Sequence, residues 1–350
     1  MLKSHFNLVY DDEEPKPEEE HEVETVAEEE KEIIPDRLLN KPEISVRLSM
    51  LGKTAEGDGY TYLKATLTGL KLTNISSITY FTNLMFLDVS DNYLDNKALQ
   101  VVCELPFLVL VQADKNRLTS GALKPMKYLQ VIIFNYNQIS SVNDIMQDQM
   151  STVEIGYNKI QKVAFPHSMD NLKVIDFRYN EITDIADFDF PNLDSLYLAG
   201  NKISSLVGLE KMPKLRILHV RNNPIKLLNG FDEVHKKLSY INLRNCKVAT
   251  LKQVKKLRVL TALETLNMKG CPYMGGPGEE DAEGADDEED PEIRVETLAA
   301  LPRLKRINKD HVTPEERNDA KELMAQWIED GEKDEEEIEE EHQEEEEKED

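Results

Sequence analysis

The chain has 350 residues, of which 68 are acidic and 42 basic, and its formal net charge is −26. Its apolar runs are far shorter than the roughly 20 residues that a membrane-spanning helix needs, and the length permits one large core or an elongated array. Three cysteines, Cys103, Cys246 and Cys271, are too few and too scattered for a disulfide framework or a zinc site, so we expect reduced thiols.

The negative charge is concentrated in three segments. Residues 11–32 hold 13 acidic and 2 basic residues, residues 279–292 hold 10 and none, and residues 329–350 hold 16 and 2. Together these segments carry −35, so the rest of the chain carries +9. Such segments bury too little apolar surface to offset chain entropy. We therefore predict disorder for residues 1–40 and 330–350, and a flexible acidic insert at residues 275–291. The first residues, MLKSHFNLVYDDEE, also lack the apolar stretch of a secretory signal.

After a short region at residues 41–62, interpreted as an N-terminal cap, a repeat with a period near 22 residues fills residues 63–274. Residues 84–94 read LMFLDVSDNYL, and residues 193–203 read LDSLYLAGNKI. The shared template is L-x-x-L-x-L-x-x-N-x-I/L, numbered here from its first leucine as position 1. Position 9 is occupied by Asn92, Asn116, Asn137, Asn158, Asn180, Asn201, Asn223, Cys246 and Cys271.

The template predicts a short strand followed by a buried asparagine. In L-x-L, alternate side chains point to opposite faces, so the leucines of neighbouring turns stack into one core. The asparagine would hydrogen-bond the backbone of adjacent turns where water does not reach. Cysteine can replace it because cysteine is small, tolerates burial and offers a weak S–H donor. We therefore interpret Cys246 and Cys271 as structural residues.

The chain closes with a predicted cap over residues 292–329. Thr313, Pro314 and Glu316 stand at the N-cap, N1 and N3 positions of a helix start. The helix is expected to run to about Glu329 and to bury Leu323, Met324 and Trp327 against the end of the array.

The repeat resembles the leucine-rich repeat in its 22-residue form, whose I-x-x-I/L-x-G-L continuation is matched by ISSLVGL at residues 203–209. The resemblance implies an α/β solenoid, a horseshoe with a parallel concave β-sheet and a C-terminal helical cap. Residues 298–317, LAALPRLKRINKDHVTPEER, are similar to the cap of this subfamily. The order of the motifs DVSDNYL, QADKNRL, FNYNQI, LYLAGNKI, LHVRNNPI and INLRNC further resembles a leucine-rich repeat protein of the ciliary radial spoke head, over about residues 60–325. The acidic insert departs from that family, which usually passes directly from the last strand to the cap.

The concave face is the expected binding surface, because solenoids usually make their contacts there. Positions 5, 7 and 8 of the template are expected to point outward. Position 8 places three tyrosines on consecutive turns, and position 7 places Arg178, Arg221, Arg244 and Lys269 in a basic column. Aromatic side chains beside arginines are typical of protein-binding hot spots; the alternative is that the tyrosines shield strand edges and the arginines are solvated. The predicted protein-binding residues are Tyr136, Tyr157, Arg178, Tyr179, Tyr197, His219, Arg221 and Arg244.

Nothing in the sequence indicates catalysis, so we expect no catalytic residue, cofactor, metal or small-molecule substrate. Gly52-Lys53-Thr54 lacks the first glycine of a phosphate loop. The acidic segments disfavour nucleic acid, and no membrane partner is expected. The resemblance implies a scaffold of the axonemal radial spoke in motile cilia, located in the cytoplasm and cytoskeleton, with radial spoke or other axonemal proteins as partners. Two alternatives remain: a regulatory subunit similar to the 22-residue-repeat regulator of protein phosphatase 1, and a histone binder similar to the acidic leucine-rich nuclear phosphoproteins.

Overall fold

One sheet runs through the part of the chain that the computed structural model describes, residues 35–54, 57–166, 169–278 and 290–331. The sheet has 13 strands, and each strand lies beside the next one in sequence. Its ends are antiparallel hairpins, β1 (Leu48–Lys53) with β2 (Tyr60–Thr66) and β12 (Arg306–Ile307) with β13 (Asp310–His311). Of the segments predicted to be disordered or flexible, residues 1–40, 330–350 and 275–291, the parts at 1–34, 332–350 and 279–289 lie outside the described residues. In the described parts, Leu39 is buried and its N–H donates to the Asn74 carbonyl at 2.9 Å, and Pro291 begins a helix.

All pairs between β2 and β12 are parallel, which confirms the predicted solenoid with a parallel sheet. The intervening strands have three residues each, at template positions 3 to 5. They are β3 (Phe86–Asp88), β4 (Leu110–Gln112), β5 (Val131–Ile133), β6 (Thr152–Glu154), β7 (Val174–Asp176), β8 (Ser195–Tyr197), β9 (Ile217–His219), β10 (Tyr240–Asn242) and β11 (Thr265–Asn267).

Helical segments are short between the strands and longer at the C-terminal end. The α-helices are α1 (Lys41–Ser45), α2 (Asn96–Leu99), α3 (Leu251–Lys255), α4 (Pro291–Ala300) and α5 (Pro314–Asp330). Single 3₁₀ turns cover Ser76–Tyr80, Gln100–Glu104, Leu209–Lys211, Lys256–Val259 and Pro272–Met274. None of the helices in these described ranges is both long and apolar enough to span a bilayer.

Each strand stops early because the backbone turns at position 8. The residues there, from Asp91 to Gly270, have φ between 50° and 77°, a left-handed conformation that cannot continue a strand. The central residue of each strand points inward and is at most 1% exposed. These residues join the apolar side chains of positions 1 and 6 in one cluster that extends from Leu39 to Ala320.

The position-9 asparagines connect neighbouring turns and are 3–8% exposed. The Asn158 side chain accepts a hydrogen bond from the Ile139 N–H at 2.9 Å and donates to the Phe134 carbonyl at 3.0 Å, both in the preceding turn. It also donates to the Gly156 carbonyl of its own turn at 2.9 Å. The same pattern recurs from Asn92 to Asn223, so each turn satisfies buried backbone groups of the turn before it.

Two cysteines replace the asparagine near the C-terminal end. The Cys246 Sγ donates to the Val220 carbonyl at 3.3 Å, and the Cys271 Sγ donates to the Leu243 carbonyl at 3.0 Å. A thiol offers no good acceptor, so the Ile225 N–H donates instead to the Asn223 carbonyl at 2.8 Å. Burial raises the pKa of Cys271 to about 12 and also raises the pKa of Cys246, so both side chains remain protonated thiols.

The cap begins as the sequence predicts. Thr313 and Glu316 form a capping box at the start of α5. The Glu316 carboxylate also pairs with the buried Arg294 of α4 at 2.7 Å, and this contact joins the two cap helices. Leu323, Met324 and Trp327 pack against the core but stay half-buried rather than buried, because α5 covers the end of the solenoid and keeps one side in water.

Removing one ladder asparagine is expected to destabilise the whole array. Asn158→Ala leaves the Ile139 N–H and the Phe134 carbonyl without their partner in a place that water does not reach. We expect a loss of about 1–3 kcal/mol, and a similar loss for Asn180→Ala, measured by thermal melts followed by circular dichroism. Asn143→Ala, at an exposed asparagine, is the matched control. Equal melting temperatures for all three variants would contradict the ladder's contribution.

Candidate protein-binding site

The outward face of the parallel strands, called here the concave face, carries the side chains of positions 3 and 5. Of the predicted binding residues, Tyr197 ends β8 and His219 ends β9, both at position 5. The predicted arginines lie at position 7, two residues beyond their strands. The predicted residues therefore lie at or just beyond the C-terminal ends of the parallel strands.

Three of the predicted tyrosines lie beyond the strands, whereas Tyr197 ends β8. Tyr136, Tyr157 and Tyr179 occupy position 8 and have φ of 54°, 54° and 51°. They therefore stand on the turn that leaves the sheet. The pattern missed this because a left-handed conformation is uncommon for a tyrosine, whereas the asparagine and glycine at position 8 of later turns adopt it readily.

These three tyrosines, the tyrosine stack, cover one another. Ring centroids of Tyr136 and Tyr157 are 4.1 Å apart, and those of Tyr157 and Tyr179 are 4.5 Å apart, with nearly parallel planes. Lys115 lies 5.5 Å over the free face of Tyr136. At the other end Gly200 faces Tyr179, where a Cβ would come within 2.5 Å of the ring. The stack therefore presents ring edges and hydroxyls, with Tyr136 the most open at 40% exposure.

A second row of rings lies on the strands. Tyr197 and Tyr240 flank His219, and both centroid distances are 4.8 Å. Burial, together with the nearby charges of Arg178 and Arg221, lowers the pKa of His219 to about 3, so the imidazole is neutral. Tyr240 was missed in the sequence because only positions 5, 7 and 8 were taken as outward. The two-residue period of a strand places position 3 on the same face as position 5.

Carboxylates occupy the N-terminal half of the concave face, and the sequence analysis assigned them no role. Burial raises the pKa of Asp114 to about 6 and that of Glu154 to about 7, and in Glu154 the neighbouring charges of Asp176 and Asp114 add to the effect. Asp176 is paired with Arg178 at 2.7 Å. Within the described ranges no three histidine, cysteine or acidic side chains are arranged to hold a metal ion.

Arg178 therefore differs from the other predicted arginines. Its guanidinium binds both carboxylate oxygens of Asp176, and its carbon Cζ lies 5.9 Å over the Tyr197 ring. Much of its charge is neutralised within the protein. Further along the face, Arg244 and Lys269 follow β10 and β11, and Lys309 follows β12.

The arginines and lysine of position 7 are held by a recurring turn. The side-chain oxygens of Asp176, Asn242 and Asn267 accept from the backbone N–H two residues later, at 3.1, 3.1 and 3.2 Å. These bonds fix the backbone of Arg178, Arg244 and Lys269. The concave face is thus a rigid surface with acidic character at β4 to β7 and basic character from β9 onward.

The chain is similar in sequence to known leucine-rich repeat proteins. A model of leucine-rich repeats in two copies matches residues 191–233. Leucine-rich repeat-containing protein 23 of Homo sapiens is 31% identical over 291 residues, which cover 83% of this chain and 80% of that protein. The protein of the same name from Mus musculus is 33% identical over 285 residues, covering 81% and 79%. Among solved structures, an internalin of Listeria monocytogenes aligns over 74% of this chain and 92% of its own, with a TM-score of 0.40 and 14% identity.

Truncating the middle ring of the tyrosine stack is expected to cost stability. Tyr157→Ala removes two ring–ring contacts, and we expect the unfolding free energy to fall by about 1–3 kcal/mol. Tyr157→Phe keeps both contacts and is the control, with a change below about 1 kcal/mol. The measurement is chemical denaturation of the purified variants. Equal losses for both substitutions would mean that the hydroxyl, and not the stacked ring, carries the effect.

The raised pKa of Glu154 makes stability depend on pH. Because the folded state prefers the protonated acid, stability falls as pH rises from about 4.5 to about 7. We expect Glu154→Gln to raise stability at pH 8 by about 1–2 kcal/mol and to leave it nearly unchanged at pH 4.5. Glu104→Gln, at an exposed glutamate, is the control. Parallel stability curves for wild type and Glu154→Gln between pH 4.5 and 8 would contradict the assignment.

Proposed function

This chain belongs to the family of leucine-rich repeat-containing protein 23, and from that membership we propose that it is a non-enzymatic, protein-binding scaffold and a structural component of the axonemal radial spoke in motile cilia. Its partners would be radial spoke or other axonemal proteins, and its location the cytoskeleton of the cilium or flagellum. The shared sequence extends over about four fifths of the chain, which favours this function over phosphatase regulation and histone binding.

The rigidity of the concave face is the observation that carries the proposal. Rings at the face are stacked on rings of the neighbouring turns, at 4.1 to 4.8 Å between centroids. Arg178 and Arg244 stand on turns that are fixed by hydrogen bonds from their backbone N–H groups to the side-chain oxygens of Asp176 and Asn242. Few side chains of the scaffold have to be immobilised when a partner binds here, so the scaffold loses little conformational entropy.

The predicted residues divide into two groups under this proposal. Tyr157, Arg178 and Tyr197 are engaged with their neighbours, and they shape and stiffen the surface. Tyr136, the most exposed ring of the tyrosine stack, is a proposed contact residue together with Arg221 and Arg244. Tyr179 and His219 lie between them. Aromatic and arginine side chains on a rigid frame are the residue types that dominate measured interface energies.

Charge reversal at two arginines tests the proposal in the cell. Arg221→Glu with Arg244→Glu should abolish incorporation of the tagged full chain into detergent-extracted axonemes of motile ciliated cells that lack their own copy. Lys226→Glu with Lys236→Glu, at exposed lysines between β9 and β10, should incorporate normally. Melts of the purified proteins separate loss of contact from loss of fold.

The results divide clearly. Normal incorporation of a folded Arg221→Glu/Arg244→Glu variant would show that the partner contact lies elsewhere on the chain. Absence of the wild-type chain from axonemes would remove the radial spoke assignment itself.

A further inference from the structure

A cavity of about 620 Å³ lies at the C-terminal end of the concave face, between the last strands and the start of the cap helix α5. Position 7 of two consecutive turns contributes Arg244 and Lys269, and the hairpin of β12 and β13 contributes Lys309 and His311. This volume is that of a typical ligand pocket. Nothing in the repeat template requires such a cavity, since it forms only where the solenoid meets its cap.

Positive charge dominates the lining. Four cationic side chains line the cavity, against a single carboxylate among the described residues, that of Asp310. One of the four, Arg294, is paired with Glu316 at 2.7 Å and serves the cap. Of the others, Arg244 and Lys309 leave a surplus of positive charge over Asp310.

Arg244 is the member with an unsatisfied hydrogen-bond donor in the described part of the protein. Its Nε is buried and has no hydrogen-bond partner within the described residues. Leaving a buried charged donor unsatisfied is costly. An anionic group that binds the guanidinium reduces this cost, because it supplies the missing acceptor in a charge-assisted hydrogen bond.

The surrounding groups are held in place before any ligand arrives. The Asn242 and Asn267 side chains accept from the Arg244 and Lys269 N–H groups at 3.1 and 3.2 Å. Asn308 has φ of 56°, and its side chain accepts from the Met268 N–H at 2.8 Å. In the hairpin, the side chains of Arg306 and His311 meet, with Arg306 Nη2 lying 2.9 Å from His311 Nε2. The cavity is therefore a built site and not a gap between mobile side chains.

The spacing of the cations indicates the shape of the ligand. Arg221, Arg244, Lys269 and Lys309 lie on or just beyond four consecutive strands, β9 to β12, and neighbouring strands are about 4.8 Å apart. The row therefore extends about 14 Å, the length of roughly four or five residues of extended peptide. A compact oxyanion would meet only one or two of these cations.

We propose that this cavity binds an acidic, extended peptide segment of a partner protein, with the carboxylates of the peptide on Arg244 and Lys309. This inference rests on the proposed function as a protein-binding scaffold and names the chemistry of one partner contact. The guanidinium takes one carboxylate in bidentate fashion, and the lysine ammonium groups take others as point charges.

The test is peptide binding by the purified full chain, measured by fluorescence anisotropy. The probe is a labelled peptide of about five consecutive glutamates, and the reference is the same peptide with glutamines. We expect Arg244→Gln with Lys309→Gln to weaken binding of the glutamate peptide by about tenfold or more, as expected for the loss of two charge-assisted contacts. Lys309→Gln alone, at an exposed turn residue, should weaken it less. Lys226→Gln with Lys236→Gln is the charge-matched control.

Each other outcome overturns the proposal. Equal weakening by the control pair would mean that the peptide senses only the net charge of the chain. Equal binding of both peptides would exclude recognition of carboxylates. Binding that appears only after residues 332–350 are removed would make the chain's own acidic tail the occupant. Because the assay uses no cell, its failure leaves the axonemal test of the scaffold function standing, and the reverse also holds.

Discussion

The fold depends on one constraint, which is that no turn of this solenoid can satisfy its own buried polar groups. A turn of about 22 residues is too small to enclose a core, and its backbone leaves donors and acceptors pointing into the apolar interior. The asparagine of the next turn supplies both functions at once, because its amide carries an acceptor oxygen and two donor hydrogens. Asn158 illustrates the arrangement, with one accepted bond and one donated bond to the preceding turn. Stability is therefore a property of neighbouring pairs of turns, and the array holds together only as a whole.

The dependence of each turn on the next also explains how the C-terminal end of the solenoid is closed. Where the ladder nears its C-terminal limit, Cys246 and Cys271 keep the donated bond and give up the accepted one. The closing hairpin then ends the array with Asn308, whose oxygen accepts from the Met268 N–H. Arg294 and Glu316 fasten the cap helices over this end, so that the last turn is covered although no further repeat follows. The cavity beside Arg244 is a by-product of this closure, since the cap replaces a strand that would otherwise have continued the face.

Much of this architecture could be predicted from the sequence, because the repeat is local. The period of the leucines places the strands, the recurring asparagine indicates the ladder, and Thr313 with Glu316 indicates the start of α5. The surface was less predictable, because its contacts join residues one turn apart whose side chains the template does not constrain. The stacking of Tyr240 on His219 depends on which side chains meet across neighbouring strands. The pairing of Asp176 with Arg178 lies within one turn, at positions whose residue types the template leaves open. Asn308 was missed for a related reason, since it directly follows the inward Ile307 and so falls outside the spacing of the other ladder asparagines.

The distribution of charge on the concave face follows from the same rigidity. On strands whose spacing the ladder fixes, Glu154 and Asp114 are held partly out of water, and this burial raises the pKa of both carboxyl groups. The nearby charges of Asp176 and Asp114 add to the rise at Glu154. The charge of Arg178 opposes this rise at the middle of the face. Beyond β9 the residues at position 7 are Arg221, Arg244 and Lys269, so this half of the face is basic. A partner with uniform charge would therefore meet repulsion on one half of the face. A partner that is basic toward β4 and acidic toward β12 would be attracted along its whole length, and its orientation on the scaffold would be fixed by electrostatics before the rings make contact.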